Sequence, residues 1–141
     1  MSTLFTRIIR GDLPSEKVYE TGSELAFLDI NPKSEGHTLV VPKLEVAGFD
    51  ALPTADLQSL IATVQLVTRG IIKAMGTPHY NIFLNNGAPA GQVIFHVHFH
   101  IVPRYQGGAR SFRRASTTEG RLAEVGAEIR KTLQSLASTP A

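Results

Sequence analysis

Three histidines alternate with apolar residues in the second half of the chain. His96, His98 and His100 are separated by Val97 and Phe99. Because side chains of an extended strand alternate between its two faces, this pattern predicts that the imidazoles share one face and the apolar side chains fill the other. An imidazole titrates near neutral pH, so it can act as a nucleophile, a proton carrier or a metal ligand. The run is therefore the first candidate for a functional site.

A metal site is the main alternative for such a run. A purely structural role is disfavoured, because burying three imidazoles that have no functional use costs free energy. Same-face neighbours on a strand lie about 6.7 Å apart, which places His96 and His100 about 13 Å apart. One ion bound about 2 Å from each nitrogen can take two of the three, and a third ligand would have to be His37 or a carboxylate from another strand. We therefore expect no metal and no other cofactor, and a metal-binding module stays as a minor alternative.

Phosphoryl or nucleotidyl transfer uses the run better. One neutral imidazole can attack phosphorus while its neighbours donate hydrogen bonds to the non-bridging oxygens. A glycine-containing loop over residues 85–92 lies immediately upstream. Its glycines let backbone N–H groups approach an anion, and Asn85 and Gln92 offer side-chain amides. The sequence thus predicts a phosphate site beside the histidines.

The composition is that of one globular domain spanning residues 1–141. Hydrophobic residues make up 43% of the chain and the formal net charge is +2, so we expect no nucleic-acid partner. The chain has no cysteine and therefore no disulfide or thiolate metal site. We recognise neither a signal peptide nor an apolar run long enough to span a membrane, and we expect a cytoplasmic protein.

Hydrophobic periodicity and turn residues predict the elements that position the run. Helices are predicted over residues 4–9, over residues 54–75 and behind a capping box of Ser116 and Glu119. Strands are predicted over residues 17–20, 24–30, 37–41, 80–85 and 94–103. Strands on both sides of one long helix, joined by short connections, favour an α+β fold with an antiparallel sheet of five strands and a C-terminal helix.

A basic loop separates the last strand from the C-terminal helix. It carries Arg104, Arg110, Arg113 and Arg114, with Tyr105 and Phe112 among them. The loop could contact RNA, but a solvated rim that steers an anionic substrate fits the modest net charge better.

The residues 96–102, HVHFHIV, resemble the signature of the histidine triad (HIT) superfamily. Residues 84–87 and 90–92 stand where that family has its phosphate loop, and the similarity extends to residues 4–15, 26–32 and 36–43. The motif-bearing core covers about residues 4–105, and the basic loop and final helix occupy residues 106–137. The chain is most similar to the Hint-like bacterial branch, whose members hydrolyse nucleoside phosphoramidates or related adenylylated compounds; the diadenosine polyphosphate hydrolases are close relatives.

The resemblance implies a role for each matching residue. His98 would be the nucleophile, forming a nucleotidyl-histidine intermediate that water hydrolyses, and His100 would contact the α-phosphate. His96 and His37 would complete the polar cluster, although His37 could instead be a solvated strand end. Asp29 would bind the ribose hydroxyls, its alternative being a turn residue ahead of Asn31 and Pro32. The base slot would consist of Phe5, Ile8, Phe27 and Ile30, and the phosphate would be surrounded by Asn85, Gly91, Gln92 and Val93.

Plain core packing is an equal alternative for Phe5, Ile8 and Phe27. The resemblance further implies a purine nucleotide substrate and a homodimer in which two five-stranded sheets join into one of ten strands. A nucleotide-binding regulatory dimer with little turnover and a dinucleoside polyphosphate hydrolase remain alternative functions.

Two departures from the family pattern stand out. Many bacterial members hold a structural zinc with an N-terminal Cys-x-x-Cys pair and a further histidine. Here Phe5 and Thr6 lie in that N-terminal segment, which has no cysteine, and Glu45 replaces the histidine. The second departure is Val93, where relatives usually carry serine or threonine, so a hydroxyl donor is missing beside the phosphate.

Overall fold

A computed structural model describes residues 2–108 and 119–137 of the chain. The predicted capping residue Ser116 and the basic-loop residues Arg110, Phe112, Arg113 and Arg114 lie outside the described residues. Within them the architecture is α+β, with one five-stranded antiparallel sheet of strand order β1-β2-β3-β5-β4. The helices are α1 (Leu4–Ile9), α2 (Thr54–Met75) and α3 (Glu119–Ala137), and the strands are β1 (Lys17–Glu20), β2 (Glu24–Leu28), β3 (Thr38–Pro42), β4 (His79–Phe83) and β5 (Phe99–Arg104).

The long helix α2 has the predicted bounds. It begins after Pro53 and ends at Gly76, which adopts the left-handed conformation at φ 69°, a backbone geometry that favours glycine at a helix end. Along α2, Gly70 allows the third helix to approach: a Cβ there would lie 2.4 Å from Cδ2 of Leu133. No helix within the described residues is long and apolar enough to cross a membrane.

Alternation along the strands separates the interior into two clusters. In β2 the residues Ala26 and Leu28 pack with α2 and α3 on one face of the sheet. Leu25 and Phe27 point the other way, into a smaller cluster that includes Phe5 from α1. The sheet is therefore covered by two long helices on one face and by the short N-terminal helix on the other.

Four of the five strands differ in their bounds from the predicted ones. β2 ends at Leu28 rather than at residue 30, β3 begins at Thr38 and includes Pro42, and β4 covers His79–Phe83 rather than residues 80–85. The largest difference is β5, which begins at Phe99 rather than at residue 94. This difference changes the setting of the histidine run.

Candidate active site

The histidine run is only partly on a strand. Because β5 begins at Phe99, His96 and His98 lie on the irregular segment before it, which corrects the prediction of one continuous strand. The neighbouring strand explains this end of the ladder. β3 ends at Pro42, whose nitrogen carries no hydrogen to continue the pairing.

The predicted division of the run between two faces holds despite that break. Val97 and Phe99 are part of the larger cluster with α2. On the other side the ring centroids of His98 and His100 lie 4.9 Å apart, and Phe5 of α1 contacts the ring of His98 edge-on at 4.9 Å. The imidazoles thus line the side of the sheet that carries the short helix.

Hydrogen bonding fixes which nitrogen of His98 is available. Its Nδ1 lies 2.7 Å from the carbonyl oxygen of His96. A carbonyl can only accept, so Nδ1 carries the hydrogen and Nε2 of the neutral ring keeps its lone pair. The side chain is buried, and this burial lowers the pKa of His98 below its ordinary value. A neutral imidazole with a free Nε2 lone pair is the arrangement that a nucleophile requires.

His37, directly before β3, and His100 of β5 form a hydrogen-bonded relay. The backbone N–H of Lys33 donates to Nδ1 of His37 at 3.0 Å, so the neutral His37 ring carries its hydrogen on Nε2. That Nε2 lies 3.0 Å from Nδ1 of His100 and donates to it. The hydrogen of a neutral His100 is therefore on Nε2. His100 can then offer an N–H donor to an anion.

Burial keeps both rings of this relay neutral. Desolvation and, to a smaller extent, the neighbouring His100 together lower the pKa of His37 to about 3. Desolvation also lowers the pKa of His100 to about 4, with His98 adding to the shift. The ring of Phe83 stacks on His100 with the centroids 4.4 Å apart and the planes 11° apart. The relay is thus held in place by packing as well as by hydrogen bonds.

His96 is wholly buried, and both of its ring nitrogens have partners within the protein. Its Nε2–H donates to the carbonyl oxygen of Pro42 at 2.7 Å, and Nδ1 accepts the hydroxyl of Thr3 at 3.0 Å. Burial lowers the pKa of His96, which favours the neutral ring. In this arrangement the ring of His96 connects α1 to the end of β3, while its carbonyl orients His98.

A hydrogen-bonded cluster anchors α1 beside His96. One carboxylate oxygen of Glu45, Oε1, accepts the hydroxyl of Thr6 at 2.5 Å and the backbone N–H of Thr3 at 3.0 Å. Thr3 also caps α1 by accepting the N–H of Thr6 at 3.1 Å. Thr3 was not predicted to belong to the site; the preference of threonine for the N-cap position was the available signal.

Asp29 is a turn residue that also faces the relay. Its Oδ1 accepts the backbone N–H of Asn31 at 2.8 Å, and its Oδ2 lies 3.6 Å from Nε2 of His37. Burial raises the pKa of Asp29. Next to it, the side chain of Ile30 is 67% exposed. Both alternatives considered for Asp29 are thus compatible with its position, because the turn engages only one of its two oxygens.

One group among the described residues has metal-ligand spacing. Ligand atoms of Asp29, His37 and His100 lie within 4.8 Å of one another. However, a metal needs the lone pair of His37 Nε2, and the Lys33 N–H holds the hydrogen on that nitrogen by occupying Nδ1. The hydrogen bonds of this group therefore favour the imidazole relay over a metal centre.

Gln92 shapes the predicted phosphate loop from inside. Its Oε1 accepts the N–H of Gly87 at 2.7 Å, and its Nε2 donates to the carbonyl oxygens of Ala47 and Ile94. The side chain is 5% exposed, so its amide organises the loop rather than facing solvent. Gly91 lies in the left-handed region at φ 100°, and a Cβ there would approach Nδ2 of Asn85 at 3.3 Å. Glycine therefore permits both the turn and the close approach of Asn85.

The remaining predicted residues divide by exposure. Phe5, Ile8 and Phe27 are buried together in the smaller cluster. Val93 is 80% exposed, beside the loop that Gln92 organises. These apolar side chains thus lie on the same side of the sheet as the histidine rings, and a hydroxyl at position 93 would reach solvent.

Comparison with known proteins connects this geometry to a family. Residues 10–107 match the HIT domain family. An adenosine 5′-monophosphoramidase from Schizosaccharomyces pombe is 44% identical over 104 residues, covering 74% of this chain and 75% of that protein. An adenylylsulfatase from Arabidopsis thaliana is 45% identical over 101 residues, covering 72% of this chain and 51% of that protein.

A solved structure extends the comparison to nearly the whole chain. The crystal structure of a zinc-bound histidine triad family protein from Mycobacterium smegmatis superimposes with a TM-score of 0.87 at 36% sequence identity. The superposition covers 98% of this chain and 97% of the Mycobacterium smegmatis chain.

Proposed function

The chain belongs to the HIT domain family, and from this premise we propose that it hydrolyses purine nucleoside phosphoramidates or related adenylylated compounds. One observation carries the proposal: the Nδ1–H of His98 donates to the His96 carbonyl and leaves a neutral Nε2 as nucleophile. The names of the monophosphoramidase and adenylylsulfatase relatives support this substrate class.

In the first proposed step, Nε2 of His98 attacks the α-phosphorus. A phosphorus–nitrogen bond to His98 forms, and the bond from phosphorus to the leaving group breaks. The leaving group departs with the electron pair, and an amine takes up a proton from solvent. The substituted ring of His98 gains positive charge, which the carbonyl of His96 stabilises through the Nδ1–H.

In the second step, water attacks the same phosphorus. The bond to His98 breaks, its electron pair returns to Nε2, and the water proton passes to solvent. The products are the nucleoside monophosphate, the released group and the original neutral enzyme. Two displacements at one phosphorus replace a single difficult step with two easier ones.

We assign the relay to charge stabilisation in both steps. Lys33 N–H, His37 and His100 are ordered so that Nε2–H of His100 is the terminal donor. A fixed donor beside phosphorus stabilises the charge that develops on the non-bridging oxygens. His37 thus works through His100, and it keeps the donor tautomer in place without contacting the phosphate.

Nucleoside recognition is proposed for the residues around the histidines. Asp29 has one oxygen outside its turn, and a carboxylate suits two vicinal ribose hydroxyls. The exposed side chain of Ile30 offers apolar surface for a base, and the small exposed part of the buried residues Phe5, Ile8 and Phe27 is proposed to extend it. Backbone groups of the loop containing Asn85, Gly91, Gln92 and Val93 are proposed to contact the phosphate.

We also propose that the protein works as a cytoplasmic homodimer. β4 lies at one edge of the sheet, where Tyr80 and Ile82 are 42% and 41% exposed. On α2, Ile61 is 46% exposed. An edge strand with exposed apolar side chains is suited to pairing with a second copy.

A substrate panel tests the proposed function. Adenosine 5′-phosphoramidate, adenosine 5′-phosphosulfate and diadenosine tetraphosphate are supplied to the wild-type protein, and AMP release is followed. We expect the highest kcat/KM for the phosphoramidate. Quenching during turnover in alkaline denaturant, in which a phosphorus–nitrogen bond to imidazole survives, should trap an AMP adduct on the peptide that contains His98. Tight AMP binding, without AMP release from any of the three substrates, would contradict an enzymatic function and favour the nucleotide-binding regulatory dimer.

A further inference from the structure

A buried carboxylate, that of Glu35, lies close in sequence to the relay of His37 and His100 and has no part in the two displacement steps. Glu35 stands in the connection between β2 and β3, directly before Gly36 and His37. Its side chain is 1% exposed. A carboxylate this deeply buried requires a charged or hydrogen-bonded partner.

That partner comes from the C-terminal helix. Nε of Arg121 donates to Oε2 of Glu35 at 3.1 Å, and Nη2 of Arg121 donates to Oε1. This fork-shaped pairing fixes direction as well as distance. Arg121 lies on α3, outside the residues 10–107 that match the family. The pair therefore joins a helix beyond the matched region to a loop beside the candidate active site.

The loop around Glu35 also contains the first donor of the relay, the backbone N–H of Lys33. The carbonyl of Glu35 accepts the hydroxyl of Tyr105 at 2.5 Å, and the backbone N–H of His37 donates to the carbonyl of Ser34 at 3.1 Å. Two residues before Glu35, the N–H of Lys33 donates to Nδ1 of His37. Side-chain and backbone contacts of Glu35 thus fix the segment that presents this N–H.

The same loop has little room to move without breaking its packing. Gly36 adopts φ 95°, and a Cβ there would lie 3.0 Å from Cγ of Met75 and 3.1 Å from Cγ of Pro103. The hydroxyl of Ser34 donates to the carbonyl of Pro103 at 2.5 Å. A loop held at several points transmits a displacement of Glu35 to its neighbours rather than absorbing it.

We propose that Arg121 and Glu35 are positioning residues for the His37–His100 relay. By fixing the loop, the pair keeps the Lys33 N–H on Nδ1 of His37, so that His37 donates through Nε2 and His100 presents its own Nε2–H. The kinetic part of this inference rests on the proposed function, whereas the effect on the ring tautomers does not depend on it.

Arg130 provides a matched control on the same helix. It donates to Oε1 of Glu16 at 2.5 Å and to the carbonyl of Lys17 at 2.6 Å, which ties α3 to β1. The Arg130 side chain is 39% exposed and that of Arg121 is 35% exposed. Replacing Arg130 removes its ion pair with Glu16, and replacing Arg121 removes its ion pair with Glu35 and an exposed one with Glu124 on the same helix. Only Arg121 contacts the loop of the relay.

The test combines imidazole ¹⁵N spectra of the ligand-free protein with hydrolysis of adenosine 5′-phosphoramidate. In Arg121→Ala we expect His37 to lose its single tautomer and kcat to fall about tenfold, with a smaller change in KM. In Arg130→Ala we expect the His37 and His100 spectra to be unchanged and kcat to stay within about twofold of wild type. Equal effects of the two variants, or an unchanged His37 tautomer in Arg121→Ala, would overturn the inference.

A second variant keeps the inference testable where Arg121→Ala does not fold once Glu35 has lost the guanidinium. The double variant Arg121→Gln with Glu35→Gln removes both charges and leaves two amides that can pair. It should show the same loss of the single His37 tautomer, since a neutral pair restrains the loop less. A wild-type His37 spectrum in the folded double variant would also overturn the inference. If the wild-type protein hydrolyses no phosphoramidate, the proposed function fails, while the imidazole ¹⁵N spectra still test the positioning role of Arg121 and Glu35.

Discussion

The carbonyl oxygen of His96 accepts the Nδ1–H of His98 at 2.7 Å, so the backbone of one histidine orients the ring of the next. The ring of His96 is itself fixed by Pro42 and Thr3. The geometry of His98 therefore depends on the end of β3 and on the start of α1, not only on the residues beside it in sequence.

Removing the His98 ring should abolish turnover. We expect His98→Ala to lower kcat on adenosine 5′-phosphoramidate by on the order of 10⁴-fold or more, because no other described ring has the same free Nε2 lone pair beside a fixed Nδ1–H. AMP affinity, measured by calorimetry, should change little. His79→Ala, which removes an exposed histidine of β4, is the matched control and should retain activity. Turnover by His98→Ala at near the wild-type rate would exclude His98 as the nucleophile.

Acid should destabilise the fold through the buried relay. Burial holds the pKa of His37 at about 3 and that of His100 at about 4, whereas both titrate near 6.5 in the unfolded chain. The unfolded state therefore binds protons first, and the free energy of unfolding falls as pH drops below about 6.5. By about pH 5 one such histidine should cost about 2 kcal/mol.

Urea unfolding at neutral pH and near pH 5 measures this loss. His100→Asn should make the free energy of unfolding less dependent on pH, because one neutral buried ring is gone. A wild-type stability that is constant between the two pH values would contradict neutral buried rings at His37 and His100.

Local sequence patterns predicted most of the scaffold. The helix Thr54–Met75 has its predicted ends because Pro53 and Gly76 act on the adjacent backbone. The strand β1 likewise has its predicted bounds, residues 17–20. His96, His98 and His100 were found through their spacing, a feature readable within a few residues, whereas the other candidate site residues came mainly from the resemblance to the HIT superfamily.

What the sequence did not reveal depends on distant partners. The histidine strand was predicted to begin at residue 94, whereas β5 begins at Phe99. The missing N–H of Pro42 limits this strand from across the sheet, so the residues along the strand did not reveal its start. The pair of Arg121 and Glu35 joins positions 86 residues apart, and no local pattern marks either member. Such contacts require the tertiary arrangement to be known.

The side chain of Gln92 should control the shape of the phosphate loop. Gln92→Leu removes the partners of one N–H and two carbonyl groups, and we expect the protein to lose about 1 to 3 kcal/mol of stability. KM for adenosine 5′-phosphoramidate should rise more than kcat falls, since the loop is proposed to bind and not to react. Gln58→Leu, on the exposed side of α2, should change neither quantity. An unchanged KM in Gln92→Leu would argue against a phosphate-binding loop.

The protein should be a dimer in solution. Light scattering at micromolar concentration should give twice the chain mass of 15.3 kDa. Ile82→Lys introduces a charge on the edge strand β4, and we expect it to shift the protein towards monomer because a buried unpaired charge is costly. Leu4→Lys changes an equally exposed apolar residue on α1 and should leave the mass unchanged. A wild-type mass near that of one chain would exclude the proposed dimer.

Val93→Thr should accelerate the hydrolysis of substrates whose leaving group needs a proton. Valine and threonine have nearly the same shape, and because Val93 is 80% exposed, the new hydroxyl can bond to water at little cost in stability. A hydroxyl at this position can orient or pass a proton to a departing amine. We expect kcat to rise about tenfold for an alkylamine leaving group and much less for an electron-poor arylamine, which departs without assistance. Val93→Ala changes the side chain without adding a hydroxyl and should accelerate neither substrate. If Val93→Thr folds normally and accelerates neither substrate, or accelerates both equally, position 93 takes no part in proton transfer and contributes through its backbone N–H alone.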